Sequence, residues 1–239
     1  MEKIAEKQGE QRMKRKLLSL GKVLIAFLVF EVLSFVIPEL LAIFLKSMNL
    51  EGESLIQWYQ VGSSLIVMLV AFPGFVLVMR RFGRLAHFSW KESKKASGAE
   101  LLRYILISIL PVVVLYGVML AISRARNIPL VDMIGTLSVG DVVREALLGC
   151  LLMPAMEEMM FRGIMLHTLK REGNLFAVIV TTLFFAAGHN NPVNMLLGLV
   201  TGCIFGYITI RHEGIRYAYI CHVIVNILGN LVIPGICGL

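Results

Sequence analysis

The chain has 239 residues, of which 57% are hydrophobic and 16% charged, with a net charge of +7 and a mean hydropathy of +0.79. Soluble domains carry about 25% charged residues, so the composition excludes a water-soluble globular protein. It also excludes a nucleic-acid binder: the bases sit in short stretches beside apolar runs, at Lys14, Arg15 and Lys16 and at Arg80, Arg81, Arg84, Lys91, Lys94 and Lys95, which is the positive-inside pattern of a membrane protein.

Residues 1–16 are charged and mixed in sign, and read as a cytoplasmic tail or a short surface helix. They are not a cleavable signal, because the charged stretch is long and the apolar run behind it exceeds an h-region. A helix crosses the roughly 30 Å hydrocarbon core with about 20 apolar residues. The first such stretch, Leu17–Leu45, is interrupted by Glu31, Pro38 and Glu39. It is either one long bent span or a span plus an interfacial helix. The second, Ser54–Met79, has Trp58 and Tyr59 at one end, where amphipathic rings favour the headgroups. The third, Leu101–Ile122, contains Pro111, and a mixed loop with Pro129, Gly135 and Gly140 fills 123–142. Four further helices are predicted at Val143–Leu169, Leu175–Gly188, Val193–Ile210 and Ile215–Ile233. The fold class is therefore all-α, a polytopic transmembrane bundle of seven spans, or eight if the first stretch divides. The basic loops place the N-terminus in the cytoplasm and, for seven spans, the C-terminus outside. Arg124 and Arg126 then fall outside, against the trend.

The four cysteines, Cys150, Cys203, Cys221 and Cys237, show no C-x-x-C spacing and read as small buried hydrophobes. His87, His167 and His212 lie in or near charged loops and need no special role. In the sixth helix Gly198, Gly202 and Gly206 recur every four residues, a face along which another backbone can approach closely.

The informative residues are polar groups where polarity is expensive, about 2.5–3.5 kcal/mol for a charge at mid-membrane. The fourth helix carries Glu157 and Glu158 side by side, with Pro154 one turn earlier and Arg162 after. Adjacent helical residues point about 100° apart, so the two carboxylates face different neighbours. Glu158 and Arg162 are four apart and pair on one face, which leaves Glu157 free to act as a base. The fifth helix ends in His189, and the seventh carries His222 and Asn226 on one face. An imidazole beside a carboxylate can activate a water, while a second imidazole and an amide can donate to an oxyanion.

These residues form three motifs in order: Glu157-Glu158-x-x-x-Arg162, Phe185-x-x-x-His189 and His222-x-x-x-Asn226. Over residues 143–230 the chain resembles the CAAX protease and bacteriocin-processing family (CPBP/Abi), which includes the type II CAAX prenyl endopeptidases. The resemblance implies an intramembrane glutamate endopeptidase in which Glu157 and His189 hold the attacking water. It implies that His222 and Asn226 stabilise the oxyanion, and that Glu158 and Arg162 support the site. No cofactor and no tightly bound metal are implied. The implied partners are membrane lipids and a peptide or membrane-protein substrate, lipidated in the prenyl endopeptidases. The division expected is 143–239 as catalytic core, with 1–142 as tail and about three spans. Three alternatives stand beside this reading. One is a zinc metalloprotease ligated by His189, His222 and Glu157, though the H-E-x-x-H helix motif is absent. Another is a non-catalytic immunity or scaffold protein of the same fold. The third is a proton-relay transporter, disfavoured because the halves show no inverted repeat. If the protease reading holds, Glu157, His189, His222 and Asn226 converge on one water-sized space.

Overall fold

The computed structural model describes residues 2–83, 89–129, 138–189 and 191–237; Arg84, His87 and the 130–137 part of the expected loop lie outside them. Seven helices follow one another, and no strand occurs among the described residues. They are α1 (Glu2–Ser47), α2 (Gly52–Arg81), α3 (Gly98–Arg126), α4 (139–169), α5 (Asn174–Ala187), α6 (Pro192–His212) and α7 (216–237). Five of them, α1, α2, α3, α6 and α7, are long and apolar enough to cross a membrane; α5 is apolar but shorter.

All seven expected helices are present, although only five reach the length and hydropathy of a span, and caps move the ends of two. The first stretch does not divide: α1 runs unbroken through Pro38 and takes in the charged tail. Helix α3 begins earlier than expected because the Ser97 hydroxyl accepts from the Glu100 N–H. It runs on to Asn127, whose left-handed backbone (φ 52°) ends it. Helix α4 likewise starts at Val139 rather than Val143. Ser138 and Asp141 form a reciprocal capping box there, in residues expected to be loop.

The chain divides into two compact units. The first comprises Met1–His87 and Ile164–Val180. In it α1 buries Val23, Ala26, Phe27 and Phe30, and α2 buries Ala71, Phe75 and Met79. Both sets follow the three-to-four-residue spacing of one helix face. Gly62 and Gly74 of α2 admit Leu41 and Leu33 of α1, where a Cβ would lie 2.5 and 2.7 Å from a leucine methyl. In lipid such fits matter more than apolar burial, because lipid tails compete equally for leucine.

The second unit comprises Phe88–Gly163 and Thr181–Leu239. Its core joins three helices: Tyr104 and Val112 of α3, Phe205 and Ile208 of α6, and Tyr217, Ala218, Cys221 and Val225 of α7. Cys150 and Cys221 are buried as expected, but Cys203 is exposed. It sits on the outer side of α6, beside the glycine face rather than on it. His167 and His212, near charged loops in the sequence, are both buried. His212 donates from Nδ1 to the Lys94 carbonyl at 2.7 Å, and its Nε2 lies 3.0 Å from the Tyr104 hydroxyl.

His212 belongs to a polar clasp that ties segment 89–97 to the turn between α6 and α7. The N–H groups of Ser93 and Lys94 donate to the His212 carbonyl, and those of Ile215 and Arg216 to Ser89 and Trp90. Glu92 pairs with Arg216 and accepts from the Tyr217 hydroxyl at 3.2 Å. Burial pushes the Glu92 carboxyl up, but its backbone hydrogen bond, the Arg216 charge and the Tyr217 hydroxyl outweigh it and hold the group below the usual carboxylate range. A depressed folded-state pKa stabilises above the unfolded value, and the gain is lost as pH falls through the folded one. Glu92→Gln should lower the unfolding temperature at pH 7 by roughly 2–4 °C, the shift expected per kcal/mol at this chain length. The gap to wild type should close in melts run well below pH 4; an unchanged gap would refute the assignment.

Candidate active site

Glu157 stands at a junction in α4. A π-helical stretch, Glu145–Leu152, precedes the short α-helical segment Met153–Glu157, and a second π-helical stretch, Glu158–Leu166, follows. Pro154 opens the α-helical segment, where its missing N–H costs least. Wide π turns are frequent at functional sites, because they re-aim side chains without breaking the helix.

The two glutamates diverge as their 100° offset predicts. Glu158 is fully buried, whereas the Glu157 side chain keeps 21% of its surface. Glu158 Oε1 accepts from Arg162 Nη1 at 3.0 Å; its other oxygen, Oε2, takes no hydrogen bond among the described residues. Arg162 is itself fully buried. Its guanidinium lies 4.3 Å from the Phe185 ring centre and 5.3 Å from that of Phe205, within cation–π range. Its Nη2 reaches the Gly202 carbonyl at 3.4 Å.

His222 bridges the two carboxylates. Its Nδ1 is 2.9 Å from Glu158 Oε1, and its Nε2 is 3.5 Å from Glu157 Oε2. An ionised carboxylate only accepts, so Nδ1 carries a proton and donates it to Glu158. The ring stacks on Phe205, with centres 5.1 Å apart. His189 is held differently. Its Nδ1 donates to the Phe185 carbonyl at 2.8 Å, which leaves Nε2 as the acceptor of the neutral ring. Phe185 meets both imidazoles edge-on, at 5.1 Å from His189 and 5.6 Å from His222. Asn226 Nδ2 donates one hydrogen to the Gly149 carbonyl at 3.0 Å, and the amide has a second to offer.

The glycine face of α6 sets these distances. A Cβ on Gly198 would lie 3.2 Å from the Ala186 backbone and 3.6 Å from His189 Nδ1; one on Gly202 would lie 2.9 Å from Thr182 and 3.3 Å from the Phe185 ring. Close approach here presses the end of α5 onto α6 and delivers Phe185 and His189 to the site.

Glu157, His189, His222 and Asn226 line one cavity of about 610 Å³. It is far larger than the water-sized space expected, since one water occupies about 30 Å³ of liquid, and it falls in the range of ligand pockets. Glu158 and Arg162 lie behind its wall. The close partner of Glu157 is His222; among the described residues Glu157 shares no hydrogen bond with His189. No group of three His, Cys, Asp or Glu side chains is placed to hold a metal among the described residues. Sequence reasoning missed Phe205, which carries no polar signal, and also Glu145 and Asn230, which line the same cavity. Asn230 was legible in principle, because it extends the four-residue spacing of His222 and Asn226.

Removing one partner of a buried ion pair strands the other charge, at a cost of about 3–5 kcal/mol, whereas an apolar replacement of both is often close to neutral. Arg162→Met should therefore destabilise the protein by that amount in reversible unfolding assays in micelles, and Arg162→Met with Glu158→Leu should recover most of it. A single variant as stable as wild type would contradict the pairing.

Comparison with known proteins adds one match. Residues 140–228 match the family model described as Type II CAAX prenyl endopeptidase Rce1-like. No curated protein and no solved structure matches the chain. The matched segment contains all three motifs and every residue named above as catalytic or supporting. Over this segment, a little over a third of its length, the chain is similar to the type II CAAX prenyl endopeptidase Rce1-like family.

Proposed function

We propose that the protein is an intramembrane endopeptidase that hydrolyses a peptide bond of a membrane-inserted or lipidated peptide, using a water activated by Glu157 and His189. One observation carries the reading: four polar side chains from three helices line a single cavity inside the segment matched to a protease family. Residues 143–239 serve as its catalytic core, and 1–142 as the tail and further spans. The protein sits in the cell membrane with its N-terminus in the cytoplasm, where the basic loops meet anionic lipid.

In the proposed reaction Glu157 removes a proton from water as the water oxygen attacks the scissile carbonyl carbon. His189 Nε2, turned to the acceptor state by the Phe185 carbonyl, helps to orient that water. The negative charge on the tetrahedral oxygen is met by the second Asn226 N–H and by Nε2–H of His222 as the imidazolium. Collapse of the intermediate breaks the C–N bond. The amine departs with the proton that Glu157 returns, so one water yields one carboxyl and one amino terminus. Glu158 holds His222 by its Nδ1–H, and Arg162 holds Glu158.

Glu157→Gln keeps the shape and removes the base. In proteoliposomes given a mixture of membrane peptides, with cuts read by mass spectrometry, this variant should cleave about 10²–10⁴-fold more slowly than wild type while inserting normally. Cleavage at the wild-type rate would overturn the mechanism. Treatment of wild type with a strong zinc chelator should leave the rate within about twofold; loss of activity that added zinc restores would favour the metalloprotease reading instead.

A further inference from the structure

Besides Glu157, a second carboxylate, that of Glu145, lines the cavity. Glu145 lies twelve residues before Glu157 on α4. Its carboxylate reaches forward to Gly149, eight residues before Glu157, which is about 12 Å at 1.5 Å per residue, or roughly four residues of extended peptide at 3.3 Å each. Its Oε1 accepts from Asn230 Nδ2 at 2.8 Å. The carboxylate lies over Gly149, where any Cβ would overlap it, so glycine is what gives it a seat. The same Gly149 supplies the carbonyl that holds Asn226.

The charge around this seat is one-sided. Among the described residues, no Lys or Arg lines the cavity, while Glu145 and Glu157 both do. Among the described residues no basic side chain pairs with Glu145. Its neighbour Arg144 is engaged with Asp141 at 2.6 Å, and Arg162 sits behind the wall with Glu158. A partly buried carboxylate with amide donors beside it and no cation of its own is matched by a cationic ligand and repels an anionic one.

We propose that Glu145, seated by Gly149 and held by Asn230, is a specificity subsite for a basic side chain of the peptide substrate, about four residues from the bond cleaved. The subsite rests on the protease reading for its meaning, but its charge preference can be measured by binding alone. The probe is a set of 20-residue apolar peptides identical except for one position about four residues to either side of the centre, which is Lys, Gln or Glu. Binding is measured to the full-length Glu157→Gln protein in lipid nanodiscs, and cleavage of the same peptides by wild type is followed separately. For at least one of the two positions, the Lys peptide should bind about tenfold tighter than the Glu peptide. Adding Glu145→Lys should reverse that order. Adding Glu145→Gln, which keeps the shape and the contact with Asn230, should abolish the preference while Gln-peptide binding stays within about twofold. An order of affinities that is the same with Glu145, Gln or Lys at this position, or a preference for the Glu peptide, would overturn the subsite. Absence of cleavage with the charge preference intact would count against the protease reading and leave the subsite standing.

Discussion

A carboxylate with no exposed surface, in a helix surrounded by apolar side chains, must be neutralised where it sits. Glu158 meets that condition through Arg162 one turn away, and most of the site follows from it. The pair alone would not justify its burial, because taking two charges out of water generally costs more than their attraction returns. Its use lies in what it holds. Glu158 Oε1 also takes Nδ1–H of His222, which turns Nε2 towards Glu157. Arg162 in turn is bracketed by Phe185 and Phe205, the same two rings that contact His222. Charge and aromatic packing thus act together on one imidazole, leaving its Nε2 edge to the cavity.

The second constraint is steric. At Gly198 and Gly202 on α6 an added Cβ would come within 3.2 Å of the Ala186 backbone and 2.9 Å of Thr182, so the glycines leave room for the end of α5. Phe185 and His189 are carried on that segment, so the spacing of two glycines sets the position of an imidazole on a different helix. In the membrane, where apolar surface gains little by leaving lipid, close packing of this kind has to supply the precision that hydrophobic burial supplies in water.

Much of this was legible in the chain. The 100° step between Glu157 and Glu158 predicted that the two carboxylates face different neighbours, and the four-residue spacing predicted the bond to Arg162. The glycine repeat predicted close packing. What was not legible depended on partners far away in sequence. His222 reaches Glu158 across 64 positions, and nothing local says that its Nδ1 rather than its Nε2 does so. His212 looked like a loop residue until the Lys94 carbonyl, 118 positions away, was found beneath it. The π-helical stretches around Glu157 were invisible because a wider turn still tolerates residues four apart. Glu145 was hidden by its place near a helix start, where a lone acid usually needs no explanation.

The proton on His222 Nδ1 is the point on which the arrangement turns, since its bond to Glu158 leaves Nε2 facing Glu157 and the cavity. ¹⁵N NMR of histidine-labelled protein in nanodiscs reads that state directly, with His222→Gln identifying the signal. A protonated Nδ1 that loses its Glu158-dependent shift in Glu158→Gln is the outcome this geometry requires. A His222 ring with a bare Nδ1 in the wild-type protein would contradict it.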